Sequence, residues 1–150
     1  MSFDTKNGTR GARQPGKAMK FINKLLINRI ARSGKVIGGN GLVLYTVGRK
    51  SGVERETPLG WFAGANASWL IVAAAAGAAN NPAWYYNIAG NPDKVQIAVM
   101  GRKIAVTAEQ LYGSERDKAW QQITTAVPQF AGYQKKTDRE IPIIRLVARD

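Results

Sequence analysis

The stretch LVLYTVGRKSG, residues 42–52, joins an apolar run to a short basic turn. Its first six residues have the apolar and β-branched character of a strand. Arg49, Lys50 and Ser51 then stand between two glycines, which permit a tight turn. Backbone N–H groups and basic side chains in such a turn can converge on the oxygen atoms of phosphate or carboxylate. Taken alone, the same pattern also fits a solvated hairpin tip.

The composition excludes several kinds of catalysis. The chain has 150 residues, of which 45% are hydrophobic, enough to build the core of one domain. It contains neither cysteine nor histidine, so disulfides, zinc–thiolate sites and Ser-His-Asp hydrolysis are excluded. The ten carboxylates are scattered along the sequence, and no metal site is predicted.

The net charge of +12 is concentrated at the N-terminus. Residues 1–35 hold nine Lys or Arg residues and one acid, whereas the rest of the chain is only mildly basic. We interpret residues 1–16 as a flexible basic tail and residues 17–35 as an amphipathic basic helix. That helix either covers one end of the domain or lies on an anionic membrane. Nucleic acid is not expected as a partner, since no nucleic-acid motif accompanies the charge.

No run reaches the roughly 18 apolar residues of a membrane-spanning helix. The N-terminus also lacks the apolar core of a secretory signal. We therefore predict a cytoplasmic protein, with peripheral contact at the inner membrane face through residues 17–35 as a hypothesis.

Residues 36–150 are predicted to form the folded domain. Alternating apolar residues predict strands at Leu42–Val47, Arg55–Phe62, Ser68–Ala75, Lys94–Met100, Lys103–Leu111 and Ile141–Ala148. One helix is predicted from near Pro82 to Asn91, and another from Ser114, acting as its cap, to near Pro128. Six short strands with inserted helices indicate an α+β, mainly β protein with a small closed or split β-barrel.

A second segment adds to the first. Residues 68–77 form a strand that ends in small residues, which would let a flat ring approach the backbone closely. The motif NPAWY follows at residues 81–85 and places aromatic residues at the start of a helix, where N–H groups can hold an anion. The alternative is that Trp84 and Tyr85 are ordinary core residues.

Together these segments resemble the deazaflavin-dependent nitroreductase and quinone reductase family, whose members use coenzyme F420. The resemblance covers roughly residues 41–146 and rests on four ordered motifs: TVGRKSG at 46–52, RETPL at 55–59, NPAWY at 81–85 and TDREIP at 137–142. It implies a split β-barrel related to flavin-binding barrels. It also implies 8-hydroxy-5-deazaflavin as the cofactor, which is strongly anionic at its phosphate and glutamate end, and hydride transfer to an electron-poor small molecule.

The resemblance also implies roles for individual residues. The anionic end of the cofactor would be held by Arg49, Lys50, Ser51 and Gly52, with Arg55 assisting. The ring would lie along Thr57, Pro58, Leu59, Ala73, Ala74, Ala75, Ala76 and Gly77, and the helix-side wall would consist of Ala83, Trp84 and Tyr85. The acceptor pocket would be formed by Gly60, Trp61, Val127, Phe130 and Tyr133. A proton would come from solvent or from Tyr133, the catalytic candidate.

The sequence departs from the family pattern on the acceptor side. Nitro-reducing relatives have tyrosines at the positions of Gly60, Val127 and Phe130, and often polar residues at those of Ala74 and Ala75. Because these polar groups are absent here, a quinone or another apolar acceptor fits better than a bulky nitroimidazole.

Three alternatives stay open at this point. The barrel could bind ordinary flavin mononucleotide (FMN), it could be a non-catalytic F420-binding protein, or its basic arm could bind nucleic acid.

Overall fold

The computed structural model describes residues 3–12, 35–36 and 39–149. The amphipathic helix predicted over residues 17–35 lies outside these ranges, except for its last residue. Within the described ranges, no helix is both long enough and apolar enough to cross a membrane.

The sheet of the described chain contains eight strands. They are β1 Lys35–Val36, β2 Gly39–Val47, β3 Glu54–Gly60, β4 Phe62–Ala63, β5 Trp69–Val72, β6 Gln96–Val99, β7 Arg102–Gln110 and β8 Ile143–Ala148. All pairings between these strands are antiparallel, in the order β1-β2-β6-β7-β8-β5-β4, with β3 paired to β2. The six predicted strands are present, and the two-residue strands β1 and β4 are additional.

The sheet curls because its two ends are neighbours in the chain. Strand β3 at one end and β4 at the other are separated only by Trp61. The N–H of Trp61 donates a hydrogen bond to the carbonyl oxygen of Asn40, at 3.1 Å, which holds this junction against β2. The prediction of a mainly β split barrel is therefore confirmed.

Strand β2 supports the basic turn. Leu42 and Leu44 are fully buried, and Leu44 lies opposite Thr57 of β3 and Ile97 of β6. A strand paired along both edges and buried on one face has a strongly specified register. The turn at residues 48–52 therefore projects from a rigid part of the sheet.

Three α-helices accompany the sheet in the described ranges: α1 Ala83–Gly90, α2 Gly113–Ala126 and α3 Gln129–Lys136. Pro82 directly precedes α1, as predicted from its fixed φ. The prediction that Ser114 caps α2 is wrong, because Tyr112 occupies that position and makes no side-chain cap bond. Helix α3 was not predicted from the sequence. It has only eight residues, too few apolar ones for a periodic pattern, and it directly follows Pro128, where the preceding helix was expected to end.

The buried side chains form two clusters. The larger one joins β2, β6 and α1, with Leu44, Ile97 and Tyr85 fully buried. The second joins β5, β8 and α2, with Ile123 and Ile143 fully buried. Helix α1 is thereby packed firmly beside the strand that carries the basic turn.

Residues 3–12, named here the N-terminal segment, lie against the barrel. Phe3 packs edge-on against Tyr85, with ring centroids 5.4 Å apart. Farther along, the Thr9 hydroxyl donates to the Asp138 carboxylate at 2.6 Å, and Ala12 forms a parallel bridge with Ala78. The structure thus differs from the predicted flexible tail over residues 3–12, because partners distant in sequence hold this segment.

Candidate functional site

The basic turn is closed by its own backbone. The Gly48 N–H donates to the Val53 carbonyl oxygen at 2.8 Å, and the Gly52 N–H donates to the Gly48 carbonyl oxygen at 2.9 Å. Gly52 has a φ of +70°, which favours glycine. The Ser51 oxygen accepts the Val53 N–H at 3.2 Å, so its hydroxyl proton remains available to a ligand.

Asparagine side chains fasten this turn to helix α1. The Asn87 oxygen accepts the Arg49 N–H at 3.2 Å, and the Asn91 amide donates to the Val47 carbonyl oxygen at 3.3 Å. Gly90 permits the close approach, since a Cβ there would lie 2.8 Å from the Cβ of Arg49. The basic turn and the C-terminal half of α1 are therefore held together as one unit.

Within the described ranges, the cations of the turn have no acidic partner. Arg49 and Lys50 are exposed, as is Arg55 in strand β3, and none of them belongs to a salt bridge among the described residues. The Arg49 guanidinium lies over the ring of Tyr86, 4.8 Å from the centroid. This donor set suits an anionic ligand, because its charge is not already neutralised by the protein.

A polar cleft of about 260 Å³ opens beside Arg49. It is lined by Asn7, Arg49, Asn80, Asn81, Ala83, Tyr86 and Asn87. Among these lining residues, all of which belong to the described part of the chain, there is no carboxylate and the guanidinium is the only charged group. The cleft is therefore rich in hydrogen-bond donors and carries positive charge.

The loop after strand β5 is built from unusual backbone. Ala75, Ala76 and Gly77 have φ values of 46°, 54° and 80°, in the left-handed region. Such strain in alanine costs on the order of 1 kcal/mol or more per residue and is often found at functional sites. A Cβ at Gly77 would lie 2.7 Å from the carbonyl oxygen of Tyr133, so glycine also allows α3 to pack on this loop.

Arg139 holds the same loop from inside the protein. It is only 4% exposed, and its guanidinium donates to the carbonyl oxygens of Ala73, Ala74 and Ala78 at 3.0, 2.8 and 3.0 Å. It also donates to the side-chain oxygen of Asn81 at 2.9 Å. Burial lowers the pKa of the Arg139 guanidinium. One buried side chain thus ties the loop to the start of α1.

The structure brings part of the predicted cofactor set together. Arg49 and Ala83 line the same cleft, while Lys50, Ser51 and Gly52 are exposed on the adjoining turn. Thr57, Pro58 and Leu59 are half-buried in strand β3, which pairs with β2 along one edge and with no other described strand. The free edge of β3 and the basic turn therefore border one continuous face.

Other members of that set are placed differently. Ala73, Ala74 and Gly77 are buried, so only Ala75 and Ala76 of this loop present side chains to the surface. Trp84 and Tyr85 are 6% and 0% exposed. The Tyr85 hydroxyl donates to Gln110 at 2.6 Å, and burial raises its pKa. These two aromatic residues are thus buried in the core, and their place in the helix-side wall of the cofactor site stays a prediction.

The predicted acceptor residues fall into two neighbouring groups. Trp61, at the barrel junction, packs against the larger core cluster, and Phe130 and Tyr133 of α3 pack against the second. Phe62 connects the groups, since its ring meets that of Phe130 edge-on at 6.0 Å. Gly60 is exposed at the end of β3, and Val127 is half-buried at the end of α2.

Sequence reasoning missed the polar lining of the cleft. It assigned no role to Tyr86 or to the carboxamides of Asn7, Asn80, Asn81 and Asn87. Asn80 and Asn81, just before α1, were a usable signal, because carboxamides beside a helix start can offer donors to a ligand. Asn7 gave no such signal, since it lies 74 residues away from Asn81 in the chain.

Comparisons with known proteins assign the chain to a family. Residues 24–148 match the family model described as F420H(2)-dependent quinone reductase. A Mycobacterium bovis protein provisionally named as such a reductase is 35% identical over 111 residues, covering 72% of this chain and 73% of that protein.

Two solved structures are also similar. One, described as the F420-H2 dependent reductase FDR-A, has 34% identity and a TM-score of 0.63 over 71% of this chain and 93% of its own. The other, described as a domain-swapped dimer, has 30% identity and a TM-score of 0.64 over 87% of this chain and 100% of its own.

The curled barrel and its unpaired basic turn define a split-barrel protein of the deazaflavin-binding class. The chain belongs to the F420H(2)-dependent quinone reductase family and is, by that membership, an enzyme that uses reduced coenzyme F420. None of these findings supports the FMN alternative.

Proposed function

We propose that the protein binds reduced coenzyme F420 across the face bordered by the basic turn, strand β3 and the loop at residues 75–77, and transfers a hydride to a quinone. The observation that carries this proposal is the basic turn itself: Arg49 and Lys50 have no acidic partner among the described residues, yet asparagines hold the turn rigidly against α1. The identity of the cofactor is inferred from membership of the family.

The residues present fit the shape of that cofactor. The donors of Arg49, Lys50 and Ser51 would bind its anionic end, with Arg55 nearby on β3. The unpaired edge of β3 at residues 57–59 would offer backbone groups to the ring, and Ala75 and Ala76 would limit its other side with small side chains. When bound, the reduced deazaflavin supplies the hydride.

The protein would then contribute by positioning the cofactor and the acceptor and by excluding water from the space between them. A quinone takes up one hydride and one proton to become a hydroquinone, and the proton comes from solvent or from Tyr133. The aromatic side chains of Trp61, Phe62 and Phe130 give the acceptor side an apolar surface, which favours a quinone over a polar nitro compound. No acid–base residue of perturbed pKa is required for this chemistry.

A fluorescence titration with oxidised coenzyme F420 tests the cofactor. Saturable binding that Lys50→Glu weakens by tenfold or more is expected, because the substitution reverses a charge at the anion site. Lys118→Glu, on the exposed face of α2, is the matched control and should bind like the wild type. Binding of FMN in place of F420 would contradict the proposal.

Turnover separates an enzyme from a carrier. Oxidation of reduced F420 by a soluble naphthoquinone, followed by absorbance, should require the protein and should be slower with Lys50→Glu at subsaturating cofactor. Tight cofactor binding without turnover on quinones or nitro compounds would instead indicate a non-catalytic F420-binding protein.

We further propose that residues 17–35 bring the enzyme to an anionic membrane, where quinones are dissolved, and that it acts as a monomer. The membrane proposal rests on the basic amphipathic pattern of the sequence alone. It predicts that the full chain sediments with anionic vesicles and that replacing Lys20 and Lys24 by Glu abolishes this. Light scattering of the purified protein measures its mass in solution. The mass of one chain is expected, and a dimer, as described for the similar structure, would contradict the proposal of a monomer.

A further inference from the structure

The N-terminal segment contributes a donor to the polar cleft. Asn7 lies within this segment and outside residues 24–148, which match the family model. Its side chain lines the cleft together with Arg49. The segment is held in place on both sides of Asn7, by Thr5 against Tyr85 and by Thr9 against Asp138. The position of Asn7 is thus set by the fold.

Hydrogen bonds fix the orientation of the Asn7 carboxamide. Its oxygen accepts two bonds, from the Asn81 N–H at 2.8 Å and from the Tyr86 hydroxyl at 2.5 Å. The Asn81 amide in turn donates to the Tyr86 hydroxyl at 3.1 Å, so this hydroxyl both donates one hydrogen bond and accepts one. The Asn7 oxygen is therefore occupied, and its NH2 group has no partner among the described residues.

Most other polar groups of the cleft are already engaged. Asn81 uses its oxygen for Arg139 and its amide for Thr5 and Tyr86. Asn87 uses its oxygen for Arg49 and its amide for Thr46. The side-chain donors left for a ligand are the NH2 group of Asn7, the exposed amide of Asn80 and the Arg49 guanidinium. The guanidinium stacks on the ring of Tyr86.

We propose that Asn7 is a cofactor-binding residue, whose NH2 group and the Arg49 guanidinium together bind an oxyanion of the cofactor's phosphate and glutamate end. This inference rests on the proposed function, since it deepens the description of the same site. A cleft whose described lining offers one cation and two free amide groups, and contains no carboxylate, selects an anion. It extends the anion site beyond the basic turn, onto a segment that precedes the region matched by the family model.

Asn7→Asp is the decisive variant. An aspartate keeps an oxygen that can accept the bonds from Asn81 and Tyr86, but it replaces the NH2 donor by a second, negatively charged oxygen. We expect the affinity for coenzyme F420 to fall by about tenfold or more, because like charges then face each other. Gln121→Glu, which makes the same change on the exposed face of α2, should bind like the wild type.

Three ligands distinguish the sources of the oxyanion. They are the complete coenzyme, a form with the phosphate but without glutamates, and the deazaflavin core without the phosphate. A loss confined to the complete coenzyme assigns Asn7 to the glutamate tail, and a loss with both charged ligands assigns it to the phosphate. Unchanged affinity for the coenzyme, or an equal loss with the core, would overturn the proposal.

A second variant tests whether the loss of affinity in Asn7→Asp comes from the added charge and not from a change in the fold. Asn80→Asp places a negative charge at another residue of the cleft lining, one that is exposed and whose side chain has no hydrogen-bond partner among the described residues, and should weaken the same charged ligands. Thermal melting of both variants checks that the fold is retained. If the wild type fails to bind coenzyme F420, the proposed function fails; if the wild type binds and both variants bind equally well, only the role of the cleft fails.

Discussion

Arg139 shows how one residue can organise a site that it does not enter. Its guanidinium is buried and meets only uncharged oxygen atoms, four in number, among the described residues. A planar fork with several fixed donors can satisfy these carbonyl groups simultaneously, which a lysine could not. The strained residues 75–77 are held in place by bonds that converge on this one side chain.

We therefore predict that Arg139→Met destabilises the protein by more than about 3 kcal/mol. Each buried acceptor that loses its donor costs about 1–3 kcal/mol. Urea unfolding measures the effect, and Arg102→Met, at an exposed position of the β6–β7 turn, should change the free energy of unfolding by less than about 0.5 kcal/mol. Equal stability of the two variants would show that the loop does not depend on the guanidinium.

At the scale of elements, the strands were predictable and the attached segments were not. Strands β2, β6 and β7 carry alternating or continuous apolar residues, which is the pattern on which their prediction rested. Helix α3 has too few apolar residues to give a periodic signal. Its position depends on contact with Gly77, which the local pattern does not contain.

The N-terminal segment was missed for a related reason. Its polar, glycine-containing sequence is typical of a mobile tail, and nothing local reports that its partners are Gln110, Asp138 and the start of α1. The basic turn was found because its residues are contiguous. The cleft was not found, because it combines side chains from three distant parts of the chain.

The N-terminal segment should detach at low pH at its Asp138 end. The Thr9 hydroxyl, aided by the N–H groups of Thr9 and Arg10, lowers the pKa of the Asp138 carboxyl to about 2, from a usual 3.8. A carboxyl whose pKa is lower in the folded state stabilises the protein above its unfolded pKa, and this contribution is lost as the pH falls through the folded pKa. The bonds to Asp138 should therefore be lost between about pH 4 and pH 2.

The backbone amide resonances of Thr9 and Arg10 provide the measurement. Both should titrate together with a midpoint near the low pKa of Asp138, and Asp138→Asn should abolish that titration. A midpoint at the usual value for a free aspartate would mean that the segment is not held by this carboxylate in solution.

At the scale of the whole molecule, charge and cofactor are matched. The chain carries a net charge of +12. Among the described residues, the basic turn has cations without acidic partners, and the lining of the adjoining cleft contains no carboxylate. Raising the salt concentration from about 50 mM to about 500 mM shortens the screening length several-fold. We predict that it weakens binding of the complete coenzyme by about tenfold and changes binding of the core without phosphate and glutamates far less. Equal salt sensitivity of both ligands would argue against an electrostatic site.

The docking of residues 3–12 has a consequence for the order in which the molecule is completed. The bond between Thr9 and Asp138 joins positions 129 residues apart. During translation Thr9 leaves the ribosome well before Asp138, so the loop between them cannot close until α2 and α3 have been made. The bond between Asn7 and Asn81 joins positions only 74 residues apart and can form earlier. The N-terminal segment is therefore expected to dock in two steps, first around Asn7 and then at its Asp138 end.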